Sequence, residues 1–421
     1  MLQLKDTNFT DLMQRRICNV LLLANPYDAF MLEDDGRVDE KIFAEYTRLG
    51  LRFPPRFIQV YSQDEAMKTI SKVDIDLVIV MPSRTADAQQ EEDVFEIASN
   101  IKQAYENIPL VVLTPFSHGL TERMKDVDLS IFENVFCWLG NTDLLITIIK
   151  LLEDKMNLEH DFKSGVRMIL LVEDNIRFYS SILPNLYKFV LQQSLEFATE
   201  ALNASLETLR MRGRPKIVLA RNYQEAWELY DKYKENTLGI ISDCRYPMTP
   251  VKGANATEEE KEADAGFQLL DAIRHEDPYM PLIMESAESE NRERAVASGY
   301  HFIDKNSKKM DVDLKDMVRR CFGFGDLIFQ IPDPAFPDQP EMSTQLRVHN
   351  LKELQNNILS VPSASLLYHI QRNNVSRWLG SRALFPVSDF LKHITWESLQ
   401  DVEAHRQIIF DAIVAYRRMK N

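Results

Sequence analysis

The sequence predicts an α/β protein with two doubly wound parallel-sheet domains followed by a small all-α C-terminal domain. Three observations carry this. Short apolar runs alternate with helical patterns, the alternation occurs twice, and beyond a proline cluster only helical spacing remains.

In the first unit Val20–Leu23, Phe57–Val60, Leu77–Val80, Leu110–Leu113 and Val135–Trp138 read as strands. In the second, Met168–Val172, the run from Leu238 to Asp243, Pro281–Met284 and Tyr300–Asp304 do. Ser62-Gln-Asp-Glu-Ala66 parallels Asn222-Tyr-Gln-Glu-Ala226, and Ile108-Pro-Leu-Val-Val112 parallels Met280-Pro-Leu-Ile-Met284, each pair at one point of its unit. An internal duplication follows, with a first domain at 1–155 and a second at 156–330. Pro332, Pro334, Pro337 and Pro340 mark a stiff linker at 331–342. The helical domain spans 343–421, with helices expected over 343–360, 363–384 and 396–419.

The net charge of −15 over 421 residues argues against a surface built for nucleic acid or anionic membrane. Cys18, Cys137, Cys244 and Cys321 lack both zinc spacing and disulfide density, so they read as reduced thiols. The first residues lack a signal peptide's apolar core and no run has the length of a membrane helix, which predicts a cytoplasmic protein. The tail's slight basic excess is too small to predict DNA binding.

Four strand ends of the second unit bear chemistry. Glu173-Asp174, Asp243, Ser286 and Lys305 each follow or close an apolar run, and so fall at the carboxyl edge of one parallel sheet. Taken singly, an acidic pair is a helix cap and a lysine is solvated. Together these groups can hold a divalent cation and a phosphoryl group.

On these residues the stretch 166–325 resembles the receiver domain of two-component response regulators. The resemblance implies a flavodoxin-like fold and a regulatory switch, with Asp243 as phosphoacceptor. Mg2+ would be held by Glu173, Asp174, Asp243 and the backbone carbonyl of Arg245. Ser286 and Lys305 would bind the phosphoryl group, with Ser286 and Phe302 as the switch pair. Partners implied are a cognate histidine kinase or another phosphodonor, and enzymatic activity no broader than self-phosphorylation and self-dephosphorylation. Asn306 stands where the family has proline, and Arg245 and Tyr246 crowd Asp243.

Aligned on the matches, the first unit has Ala24-Asn25, Pro82 and Gly140 where the second has Glu173-Asp174, Asp243 and Lys305, and only Thr114 matches Ser286. It reads as a degenerate receiver; an unrelated flavodoxin-like domain is the rival. The cluster Glu33-Asp34-Asp35 reads as a solvated loop. In the tail, Tyr368-His369, Arg372-Asn373, Ser376, Trp378-Leu379, Arg382 and Phe385 resemble the regulatory region of bacterial phosphoenolpyruvate synthase-like proteins. This implies catalytic modules beyond Asn421.

Two features of the second unit depart from a minimal receiver. The helical pattern over 176–211 must bend, break or protrude, and Leu195, Leu202 and Leu209 fit either a homodimer seam or a covered core face. The charged stretch 251–264 reads as a solvated insertion at the mouth of the site. Two other functions stay open: an unphosphorylated scaffold or oligomerisation module, and a haloacid-dehalogenase-type hydrolase. The latter needs a second acid where Arg245 stands.

Overall fold

The computed structural model describes residues 4–32, 38–82, 93–115, 129–199, 207, 210–251, 255–332 and 344–420. Two five-stranded parallel sheets form its frame. The first holds β1 (Asn19–Leu23), β2 (Arg56–Val60), β3 (Leu77–Val80), β4 (Leu110–Pro115) and β5 (Asn134–Trp138), in the order 2-1-3-4-5. Its helices are α1 (Pro26–Leu32), α2 (Val38–Arg48), α3 (Gln63–Ile70), α4 (Val94–Ala104) and α5 (Asp143–Phe162).

The second unit follows as β6 (Met168–Val172), α6 (Ile176–Ala198), β7 (Lys216–Ala220), α7 (Tyr223–Tyr233) and β8 (Thr237–Asp243). A short ribbon pairs β9 (Tyr246–Pro247) with β10 (Lys261–Glu262). Then come α8 (Ala265–Glu276), β11 (Leu282–Ser286), α9 (Asn291–Ala297), β12 (His301–Asp304) and α10 (Met310–Cys321). The second sheet runs β7-β6-β8-β11-β12, the same doubly wound order as the first.

The sequence matches between the units are structurally equivalent. Ser62 accepts from the Glu65 amide while Glu65 accepts from Tyr61, and Asn222 accepts from Glu225 while Glu225 accepts from Arg221. Each is a capping box that opens the helix after the second strand, with Ala66 and Ala226 fully buried beneath it. Likewise Val78 donates to Pro109 and Ile240 to Pro281, fixing the register of the third and fourth strands in both units.

The strands read as apolar runs because both faces of each sheet are covered: β3, β6 and β7 are buried throughout. The units also share one core. Helix α6 lies on the edge strand β5 of the first sheet, where Ser180 accepts from the Cys137 amide at 2.9 Å, Tyr179 donates to the Val135 carbonyl and Phe136 meets Tyr179 edge-on. Reciprocally, α5 packs against the edge strand β7. Buried Asp154 on α5 receives Arg214 at 2.8 Å, Tyr187 at 2.9 Å and the Ile217 amide at 3.1 Å. Buried Lys216 meets Asp161 at 2.8 Å.

The pattern over 176–211 is helical to Ala198 and again at 210–212. Leu195 packs against Gly50, Leu191 and Met211, so this position covers core; Leu202 and Leu209 lie outside the described residues. So do Glu33-Asp34-Asp35, Pro334, Pro337 and Pro340.

The all-helical tail needs correction. Strand β13 (Leu327–Ile331) pairs antiparallel with β14 (Thr344–Val348), where a helix over 343–360 was expected. Over Thr-Gln-Leu-Arg-Val the side chains alternate in exposure up to buried Val348, a period of two that a helical reading of the longer stretch averages away. Helices α11 (Leu351–Asn357), α12 (Ser363–Gln371), α13 (Asn374–Ser381), α14 (Phe385–Lys392) and α15 (Val402–Lys420) complete the tail.

The tail docks on the second unit through buried arginines. Arg167 donates to Ser388 and pairs with Asp389, both at 2.6 Å, and Arg382 donates to the carbonyls of Gly323 and Gly325. Trp378 donates to Gly325 at 2.9 Å.

The inter-unit ion pair gives a stability prediction. Arg214→Met leaves Asp154 buried beside fewer cations and should cost about 3–5 kcal/mol, whereas Lys155→Met, which breaks an exposed pair with Glu133, should cost less than about 1 kcal/mol. Denaturant titration of both variants checks this; equal losses would mean that the buried network does not fasten the units.

Candidate functional site

The carboxyl edge of the second sheet gathers the charged residues. Strand β6 ends at Val172, beside Ser242 of β8, so Glu173-Asp174 and Asp243 leave adjacent strands together. Asp243 is level with Glu285 on β11, and Ser286 with Asp304 on β12, which sets Lys305 one residue beyond. Gly266 makes this edge possible: a Cβ there would stand 2.2 Å from the Asp243 carbonyl oxygen, so only glycine lets α8 come this close.

Ligand oxygens of Glu173, Asp174 and Asp243 all lie within 4.8 Å of one another. Glu173 and Asp174 are buried and Asp243 is half-buried. The Lys305 ammonium sits between two of them, 2.5 Å from Glu173 Oε2 and 2.8 Å from Asp243 Oδ1, with its charge also over the Phe178 ring. Asp243 Oδ1 further accepts from the Cys244 amide at 2.7 Å, and Glu173 Oε1 from the Asn175 amide at 3.0 Å. The Lys305 amide donates to the Ser286 carbonyl, and no cis peptide occurs among the described residues. The lysine therefore reaches the site without a cis peptide before Asn306, whose side chain donates to the Ala287 carbonyl.

Burial and the neighbouring Asp243 charge push the Glu173 carboxyl up to about 8 against the pull of Lys305. Burial also raises Asp174, opposed by Lys261. This is how a carboxylate cluster behaves when its positive charge is incomplete. A hard cation fits such a set: three carboxylates converge, and Asp174 Oδ1 is buried without a hydrogen-bond partner.

The insertion after Asp243 departs from the expectation of a purely solvated loop. Through the β9–β10 ribbon it folds back, Asn255 accepts from the Ile176 amide, and Lys261 places its ammonium 3.0 Å from Asp174 Oδ2. The Lys261 side chain is only 11% exposed, which singles it out within a charge run whose Glu258 is 74% exposed. Its lone position among glutamates was the available signal. Arg245 pairs its side chain with Glu258 at 3.1 Å and Glu288 at 3.5 Å, tying the insertion to the loop after β11.

Ser286 and Phe302, expected from the resemblance to act as a switch pair, are both buried. Ser286 Oγ accepts from the Glu288 amide and from Asn291 Nδ2, and Phe302 is buried beneath the Arg292 guanidinium. One residue was missed. Glu285 is fully buried with both carboxylate oxygens unpartnered, and burial raises its carboxyl to about 7. An acid closing the apolar run Leu282-Ile-Met284 was its trace in the sequence.

The first unit's equivalent edge carries Ala24, Asn25 and Pro82, with Thr114 buried, and Gly140 takes a positive φ of 80°. Asn25 accepts from the Asp28 amide as a helix cap. In the tail, His369 is buried and bonds the Ile328 carbonyl at 2.9 Å, which makes it a structural histidine.

No protein-family model matches the chain, and no curated protein does. Among solved structures it is similar to the crystal structure of NtrX from Brucella abortus, with 12% identity and a TM-score of 0.27, over 93% of this chain and 80% of that one. At that score the likeness carries nothing about function. No described helix is long and apolar enough to cross a membrane.

The geometry predicts competition between Lys261 and a divalent cation at Asp174. Lys261→Ala should tighten Mg2+ binding by about tenfold and Asp174→Asn should weaken it by at least as much. Calorimetric titration decides; unchanged affinity in Lys261→Ala would remove the lysine from the site.

Proposed function

We propose that the second unit is a phosphoacceptor switch of the response-regulator kind. The observation that carries this is the joint arrival of three carboxylates, Lys305 and Ser286 at one edge of a 2-1-3-4-5 sheet. Asp243 Oδ1 is held by Lys305 and the Cys244 amide, which leaves Oδ2 for attack. The Oδ2–phosphorus bond forms as the bond from phosphorus to the donor's leaving atom breaks, and an acyl phosphate remains.

Mg2+, held by Glu173, Asp174 and Asp243 with the Arg245 carbonyl, would supply the positive charge that offsets repulsion between Asp243 and the incoming phosphate. Lys305, now shared between Glu173 and Asp243, would transfer to a phosphoryl oxygen. Ser286 would give up its bonds from Glu288 and Asn291 to donate its own proton, drawing the loop after β11 inward and freeing Phe302 to follow.

The donor in this reading is a histidine kinase or a small acyl phosphate. The output is the tail, and catalytic modules of a phosphoenolpyruvate synthase-like protein are the proposed target. Several residues behind that resemblance, Trp378, Arg382 and Phe385 among them, are buried where the tail meets the second unit. The hydrolase alternative loses ground, because Arg245 is committed to Glu258 and Glu288 and offers no acid.

Mass spectrometry after acetyl phosphate and Mg2+ tests the proposal. One phosphate should appear on Asp243, none in Asp243→Ala, and none on residues 16–155. Absence of label on wild type, or label elsewhere, would reject it.

A further inference from the structure

A cleft of about 1650 Å³ opens at the opposite end of the second sheet. Leu282 and His301, which line it, are the first residues of β11 and β12, whereas Ser286 and Asp304 are the last. At ~3.3 Å per residue, a five-residue strand separates the cleft from the carboxylate site by about 15 Å. Helix α10 and the loop after it form one wall, and tail helices α12 and α13 the other.

The cleft's charge runs against the composition of the chain. The acids lining it already have partners: Asp316 pairs with Arg320, Asp326 with His349 and Arg347, and Glu196 accepts from Gln193. Arg274, Arg319, Arg372 and Arg377 have no carboxylate within ion-pair distance among the described residues. Four guanidiniums without an ion-pair partner among the described residues thus share one concavity on a chain of net charge −15.

A structural role explains some of the arginines but not all. Arg382 also lines the cleft, yet it donates to backbone carbonyls of Gly323 and Gly325 and serves as a staple. Arg274 and Arg377 donate to carbonyls as well, through one or two of their five N–H groups. Arg372 lies between two exposed rings, 3.9 Å from the centre of Tyr368 and 5.0 Å from that of Tyr279, and makes one long bond to the Tyr368 carbonyl. Arg319 is exposed, with its guanidinium 5.5 Å from the Phe189 ring. Burial lowers the proton affinity of Arg377, and the Arg167 and Arg274 charges add to this against the pull of Asp277.

We propose that this cleft binds a phosphate-bearing anion, bridging the second unit and the tail. Guanidinium forks match phosphate oxygens two at a time, and several on one concave wall select a multiply charged anion over a single carboxylate. The cleft has room for a nucleotide, for which typical pockets are ~300–1,000 Å³. Inorganic polyphosphate and a nucleoside polyphosphate present the same chemistry. A ligand here would tie α10 to α12 and α13, and so hold the tail against the second unit.

The test titrates pyrophosphate and ATP separately into the full chain in buffer freed of divalent metal, by calorimetry. Binding of at least one probe is expected, weakened about tenfold or more in Arg319→Ala and in Arg372→Ala and retained in Asp243→Ala. Comparable affinity for both probes assigns an inorganic polyphosphate; marked preference for ATP assigns a nucleotide. Thermal unfolding of each variant separates lost binding from lost fold, and Arg372→Lys should recover part of the affinity through charge alone. Failure of both probes to bind, or binding that both alanine variants leave intact, would overturn the assignment.

Discussion

Three carboxylates within 4.8 Å of one another cannot stand in a buried pocket without positive charge, and the second unit is arranged around that constraint. At an effective dielectric constant of about 20, two unit charges 4 Å apart repel by about 4 kcal/mol. Three such pairs approach the ~5–15 kcal/mol that holds a whole domain together. Lys305 meets part of this demand from β12, and Lys261 from an insertion after Asp243. Burial and the Asp243 charge still hold the Glu173 carboxyl well above its ordinary range against the pull of Lys305.

The first unit has the same strand order without the chemistry, and its structural use is visible. Its edge strand β5 is covered by α6, the helix that directly follows Glu173-Asp174 in the chain. Its last helix, α5, carries Asp154 and Asp161 into a buried network with Arg214 and Lys216 around β7. One end of the helix after the acidic pair is therefore set by the site, and its flank is set by the first unit.

Much of the frame was legible because it depends on local patterns. Apolar runs gave the first sheet and four strands of the second, though not β7 (Lys216–Ala220), and the matched segments at Ser62 and Asn222 gave the duplication, since each is a capping box that satisfies helix-terminal amides within five residues. Strand ends gave Glu173, Asp174, Asp243, Ser286 and Lys305, because parallel strands deliver their last residues to one edge. What depended on long-range closure was not legible. Lys261 stands out from its glutamate neighbours only by its sign, and its place beside Asp174 depends on the β9–β10 ribbon turning it inward. Strand β14 needs β13 across an intervening stretch, and its five residues lie within a longer helical-looking window. Arginines from α8, α10, the end of α12 and α13 become a cleft only once the tail has docked.

The most direct measurement is a crystal structure of the chain with Mg2+ and beryllofluoride, which mimics an acyl phosphate. The account predicts beryllofluoride on Asp243, a cation bound by Glu173, Asp174 and Asp243, Lys305 and Ser286 turned to the fluorides, and Lys261 withdrawn from Asp174. An unmodified Asp243 with Lys261 still 3.0 Å from Asp174, at ligand concentrations that saturate other phosphoacceptor proteins, would contradict it.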